Sequence, residues 1–262
     1  MKPIIKWSGG KSDEIKIFEK YFPDNYETYI EPFVGGGSVY FNLEPQKAVI
    51  SDVHPELIDF YKTIANGNSN EIINFMKEHP NTEEEYYKVR SIDITNSIDN
   101  ASRFYYLRKT CFRGMMRYNK KGGFNVPYGR YKTCSYTDLE NNDYHKLLAR
   151  TEILNCGFED IFNNEKYNNE NSFVFLDPPY DSPFTDYGYC NFTREHHKKL
   201  AECFKNTKMK CMIVISETDF IRELYSNYII EKYPKKYRFK LYDNRINDDI
   251  NKNHLIITNY KN

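Results

Sequence analysis

Ser172-Phe173-Val174-Phe175-Leu176-Asp177-Pro178-Pro179-Tyr180 is the stretch whose reading decides the fold. Its first five residues are apolar and rich in strand formers, the pattern of a short buried strand. A carboxylate, two prolines and an aromatic ring follow at its carboxyl end, the edge at which open α/β sheets bind ligands. Proline fixes its own φ and restricts the residue before it, so Asp177 and Pro178 are expected in a stiff, extended turn. Such a turn offers the Asp177 carboxylate and the Pro178 carbonyl as adjacent acceptors, matching the two N–H donors of an exocyclic amino group. Tyr180 adds a face for a flat ring. A plain surface turn after a core strand would carry the same four residues, so a second, independent site is needed.

The amino-terminal region supplies one. Glu27-Thr28-Tyr29-Ile30 reads as a strand, followed by Glu31-Pro32-Phe33-Val34-Gly35-Gly36-Gly37-Ser38 and a helical pattern from Val39. Glycines between a strand and a helix let the backbone approach a ligand closely. A second strand, Ala48-Val49-Ile50-Ser51, ends at Asp52, where an acid is placed to accept hydrogen bonds from ribose hydroxyls. Ahead of both lies Lys6-Trp7-Ser8-Gly9-Gly10-Lys11-Ser12. Its Gly-Lys-Ser ending is not a phosphate loop, because the required earlier glycine is Ile5. A tryptophan beside a lysine suits an adenosine-type ligand with a carboxylate tail.

Four motifs in this order carry a resemblance: Lys-Trp-Ser-Gly-Gly-Lys, Glu-Pro-Phe-Val-Gly-Gly-Gly-Ser, Arg117-Tyr118-Asn119 with Gly123-Phe124-Asn125-Val126-Pro127-Tyr128-Gly129-Arg130-Tyr131, and Asp-Pro-Pro-Tyr. Together the chain resembles the Dam-like, D12-class (α group) DNA adenine N6-methyltransferases over nearly its whole length. The resemblance implies an α/β fold, with a Rossmann-like S-adenosylmethionine-dependent methyltransferase sheet. It also implies an inserted, mostly helical target-recognition domain carrying a β-hairpin. Residues 1–61 and 151–262 would form the catalytic domain and 62–150 the insertion. Transfer of a methyl group from S-adenosyl-L-methionine to N6 of a flipped-out adenine in double-stranded DNA is the implied activity, with GATC the family's most familiar target.

Carried over by motif, Asp177, Pro178, Pro179 and Tyr180 are the catalytic residues. Trp7, Lys11, Phe33, Gly35, Gly37, Asp52, Phe158 and Asp177 would bind the cofactor. Arg113, Arg117, Asn119, Asn125, Pro127 and Arg130 would meet the DNA. Relatives often have Phe-Asn-Gly where this chain has Phe112-Arg113-Gly114, and Arg favours guanine or phosphate where Asn favours adenine. Cytosine N4 methylation uses the same amino-group logic, but its enzymes usually begin the tetrapeptide with Ser. RNA as acceptor, and a DNA-binding module without catalysis, are the other rival readings. A monomer in the interior of a bacterial or virus-infected cell is expected, with a cognate restriction enzyme acting on the same site as a companion.

Formal net charge is zero, but the charges are not evenly spread. Between Arg103 and Lys132 lie nine basic residues and no Asp or Glu, an electrostatic footprint for phosphates. Six cysteines without a Cys-x-x-Cys pair point to free thiols. No apolar run reaches membrane-spanning length, and no metal site is expected. His196-His197 reads as part of a solvated helix. The remaining pattern predicts helices over 62–110, 138–150 and 193–206, and a hairpin over 122–130. It further predicts strands at 152–155 and 211–215, with late strands near 238–242 and 254–260. A flap over the base is assigned to 181–192, and loops to 163–171 and 247–253.

Overall fold

An apolar run with no alternation has no solvent face to offer, and Ser172–Leu176 is buried at all five positions. The computed structural model describes residues 1–94, 96–119, 121–181, 191–236 and 251–261. Its strands are β1 (Thr28–Glu31), β2 (Ala48–Asp52), β3 (Thr151–Asn155), β4 (Ser172–Leu176), β5 (Lys210–Ser216), β6 (Ile229–Lys236) and β7 (Asn251–Thr258). They form a seven-stranded sheet in the order β3-β2-β1-β4-β5-β7-β6. β1 with β4, β2 with β3 and β4 with β5 are parallel, while β7 is antiparallel to both β5 and β6. This is the Rossmann-like α/β architecture expected from the sequence.

α1 (Ile15–Phe18) precedes the first strand, and the other helices lie between strands: α2 (Ser38–Leu43), α3 (Pro55–Ala65), α4 (Ser69–Glu78), α5 (Glu83–Arg90), α6 (Ser97–Thr110), α7 (Asn142–Ala149), α8 (Phe158–Phe162), α9 (Arg194–Asn206) and α10 (Asp219–Leu224). Side-chain caps start several of them. Thr82, Asn96, Asn141 and Thr218 each accept a backbone N–H at the head of α5, α6, α7 and α10.

The chain divides into two compact units. Among the described residues, one comprises Met1–Ile15, Glu31–Gly157 and Asn191; the other comprises Lys16–Ile30, 158–181 and those from Phe192 onward. The segment 62–150 lies whole within the first. There Leu57, Ile58, Phe60, Tyr61 and Ile64 form the buried face of α3, and Phe60 stacks on Tyr105 of α6 with centroids 5.3 Å apart. In the second unit, an aromatic cluster grips β4. Phe18 stacks on Phe175 at 5.3 Å, and Phe22, Tyr26 and Tyr29 surround Phe173 at 5.2, 5.3 and 5.8 Å. Burying such rings supplies much of the folding free energy, about 1.5–3 kcal/mol for each large apolar side chain.

Several expectations are corrected. β6 was not anticipated, because Glu231, Lys232, Pro234, Lys235 and Lys236 hide the strand pattern. It is the edge strand, where charge and proline blunt further pairing. Residues 251–253 begin β7 rather than a loop. His197 is buried, not solvated: His197, Leu200, Ala201 and Phe204 form the inner stripe of α9. The 238–242 strand, 247–250 and residues 182–190 of the flap lie outside the described residues. The five cysteines among the described residues are free thiols. No described helix is long and apolar enough to cross a membrane.

Candidate active site

β2 ends at Asp52, whose carboxylate is buried and held by backbone. Oδ2 accepts the Gly35 N–H at 3.0 Å and Oδ1 accepts the His54 N–H at 3.0 Å. Burial pushes its pKa up from 3.8 to about 6, against the pull of these N–H donors. The glycine turn between β1 and α2 is built around it. Gly35 and Gly37 have φ of +46° and +68°, a region other residues rarely adopt. A Cβ on Gly35 would stand 2.6 Å from the Trp7 indole nitrogen, so only glycine lets turn and ring approach this closely. Tyr61 of α3 donates its hydroxyl to the Gly35 carbonyl at 2.7 Å.

The Lys6–Ser12 loop lies against this turn: Ser12 and Ser38 hydroxyls are 3.2 Å apart. Lys11 is buried and its ammonium donates to the Gly9 carbonyl at 3.2 Å. Phe33 is half-buried beside the turn. Trp7, Gly35, Gly37 and Asp52 are thus brought together in the first unit. Sequence reading missed two partners there. Glu31 is buried and accepts the Tyr40 N–H at 3.1 Å, and His54 packs edge-on against Trp7 at 6.0 Å.

In the second unit, β4 delivers Asp177, half-buried, at its carboxyl end, with Pro178 buried and Pro179 and Tyr180 half-buried. The Tyr180 ring stands edge-on to buried His254 of β7, 5.5 Å away. The next residue, Asp181, expected only as part of the flap, anchors the turn. It takes both Nε and Nη2 of Arg194, at 2.9 and 3.0 Å, and the Thr218 hydroxyl at 3.0 Å. Despite the opposing cost of burial, these donors hold its carboxyl below the usual range. Phe158 is buried against Phe192, with centroids 6.0 Å apart.

The expected hairpin is longer than 122–130. Its arms are joined by isolated bridges, Cys111 with Tyr128 and Tyr118 with Phe124, and the Gly122 N–H donates to the Asn119 carbonyl at 2.9 Å where it turns. Asn119 makes that turn, its Oδ1 accepting the N–H groups of Lys121 and Gly123 at 2.9 and 3.0 Å. Arg117 is exposed and crosses to Asn125, donating to its Oδ1 at 2.7 Å and its carbonyl at 3.0 Å. Pro127 is exposed and its carbonyl accepts the Phe112 N–H at 2.8 Å. Arg113 and Arg130 are exposed, both at φ +56°. The basic window is not all surface: Arg103 binds Glu56 at 3.2 Å, and Arg108 is buried and donates to the Met115 carbonyl at 2.7 Å.

A Rossmann-like sheet with a glycine turn facing a buried acid, and an Asp-Pro-Pro-Tyr turn at a strand end, defines an amino-group methyltransferase class. The model of the D12 class N6 adenine-specific DNA methyltransferases matches residues 7–240, and the chain belongs to that family. It is 58% identical over 262 residues to the Type II methyltransferase M.CviBI of Paramecium bursaria Chlorella virus NC1A, covering 99% of this chain and 100% of that one. It is 35% identical to the Type II methyltransferase M.MjaIII of Methanocaldococcus jannaschii, over 99% of both chains. To the DNA adenine methylase of Haemophilus influenzae it is 31% identical, over 86% of this chain and 83% of that protein. The protein is an adenine-specific DNA methyltransferase.

Proposed function

We propose that the chain takes its methyl group from S-adenosyl-L-methionine and places it on N6 of an adenine turned out of the duplex into the Asp177–Tyr180 turn. Adenine within a duplex hides its amino group from an enzyme pocket, so extrusion precedes chemistry. The observation that carries this reading is that one chain holds both a stiff Asp-Pro-Pro-Tyr turn on a fully buried strand and a glycine cradle whose buried carboxylate, Asp52, is held by the backbone N–H groups of Gly35 and His54.

The Asp177 carboxylate and Pro178 carbonyl accept the two N6 hydrogens, and Tyr180 offers its ring to the base. Holding both hydrogens draws the amino lone pair out of conjugation with the ring and aims it at the electrophile. The cofactor, when bound, supplies an electrophilic sulfonium methyl. Its adenosine and methionine parts suit the residues present: Asp52 for the ribose hydroxyls, Trp7 and Lys11 for the rest, Phe33 to Gly37 as close-approach backbone, and Phe158 beside the adenine. Asp177 also stabilises the positive charge that develops on nitrogen, so positioning and electrostatics carry the acceleration. The N6 proton leaves after transfer, and no strong base is required.

Arg113, Arg117, Asn119, Asn125, Pro127 and Arg130 are proposed to meet the DNA, with GATC the first target to test. The relatives' Type II names support a companion restriction enzyme with the same target. Asp177→Ala tests the chemistry: methyl transfer is expected to vanish while salt-sensitive DNA binding persists. Loss of DNA binding with transfer would instead make Asp177 a structural residue.

A further inference from the structure

Within the first unit, one chain of hydrogen bonds joins the recognition hairpin to the cofactor residues. His54 Nδ1 accepts the Leu57 N–H at 3.3 Å, which leaves the ring proton on Nε2. That proton is donated to the Tyr118 hydroxyl at 2.8 Å, and the hydroxyl donates to Glu56 Oε2 at 2.5 Å. Glu56 Oε1 in turn takes Arg103 at 3.2 Å. The direction of the chain is fixed, because burial keeps His54 neutral, with its pKa down to about 3.

Each end of this chain matters to a different ligand. His54 touches the cofactor side twice, through its N–H on Asp52 and its ring edge on Trp7. Tyr118 sits in the first arm of the hairpin, between exposed Arg117 and exposed Asn119, bridged to Phe124. A second strut runs beside it. The Arg108 guanidinium lies 5.5 Å from the Trp7 ring centroid and donates to the carbonyls of Lys6 and Met115. Lys6 adjoins Trp7, and Met115 lies in the same hairpin arm. Neither strut is needed merely to close the hairpin, whose cross-arm bonds are its own.

We propose that His54 and Tyr118 are positioning residues that couple cofactor loading to DNA recognition: the hairpin holds DNA more tightly when Asp52 and Trp7 are engaged. This rests on the reading of the hairpin as the DNA contact. A ligand that fixes Asp52 and the Trp7 ring fixes the backbone and ring of His54, and so the hydroxyl of Tyr118. Coupling of this kind is reciprocal.

Two variants cut the same bond differently. Tyr118→Phe keeps the ring against Phe124 and removes only the hydroxyl. His54→Asn keeps a strong helix-capping side chain at the head of α3 but does not reach Tyr118. The affinity of unmethylated genomic duplex fragments is measured with and without S-adenosylhomocysteine, and that of S-adenosylhomocysteine with and without DNA. Wild type is expected to show a coupling factor of roughly 5- to 150-fold that falls towards one in either variant, with cofactor affinity of the DNA-free Tyr118→Phe enzyme held within about twofold. The double variant is expected to lose no more coupling than either single one.

Undiminished coupling in both variants overturns the proposal, as does the absence of coupling in wild type. So does a loss confined to cofactor affinity in the DNA-free enzyme, which marks His54 and Tyr118 as mere supports of the pocket. Failure of the underlying reading looks different: wild type then binds S-adenosylhomocysteine but no duplex DNA.

Discussion

Acidification is expected to weaken cofactor binding through one group, Asp52. Burial raises its carboxyl from 3.8 to about 6, and a shift of about two units corresponds to about 3 kcal/mol between the two protonation states. The sign follows from linkage. A carboxyl whose folded pKa is raised contributes stability that is full below its unfolded value and lost as pH rises through about 6. Above that pH the buried charge is a burden, and ribose hydroxyls donating to it relieve the burden. Binding therefore favours the ionised form, and affinity should fall up to about tenfold per pH unit once the pH is below the carboxyl's folded value. Titration calorimetry with S-adenosylhomocysteine, from about pH 7.5 to about pH 5, reads this directly. Asp52→Asn is the control. An amide cannot accept from both Gly35 and His54 N–H, so affinity at neutral pH should drop by about 1–3 kcal/mol and the acid limb should disappear. A flat wild-type profile, or the same acid limb in Asp52→Asn, would refute the assignment of Asp52 to the ribose.

Two further outcomes follow from the geometry. Gly35→Ala places a Cβ 2.6 Å from the Trp7 indole nitrogen at a φ of +46°; cofactor affinity should collapse while DNA binding without cofactor persists, measured by calorimetry and by filter binding. Arg117→Ala should lower DNA affinity and flatten the dependence of log affinity on log salt by about 0.9 for one lost phosphate contact; an unchanged slope would remove Arg117 from the interface.

Much of the framework was legible because its signals are local. β4 announced itself as an unbroken apolar run, and the glycines before α2 and the acid ending β2 fell where the pattern placed them. What escaped depends on partners distant in sequence. β6 reads as charged and proline-bearing because an edge strand needs only one partner. The acid-free basic window reads as a footprint for phosphates, yet Arg103 finds Glu56, and Arg108 finds carbonyls at Lys6 and Met115. His197 looked solvated beside His196 because a histidine pair carries no mark of which ring faces inward; only its spacing to Leu200, Ala201 and Phe204 gives it away. The role of His54 was equally invisible, since its partner Tyr118 lies 64 residues away.

The most direct test of the central claim is methyl transfer from S-adenosyl-L-methionine to unmethylated genomic DNA, with modified positions read by single-molecule sequencing. N6-methyladenine at one recurring short sequence, absent with Asp177→Ala, is the predicted result. A cofactor-binding enzyme that leaves every adenine unmodified, or that modifies cytosine instead, would contradict it.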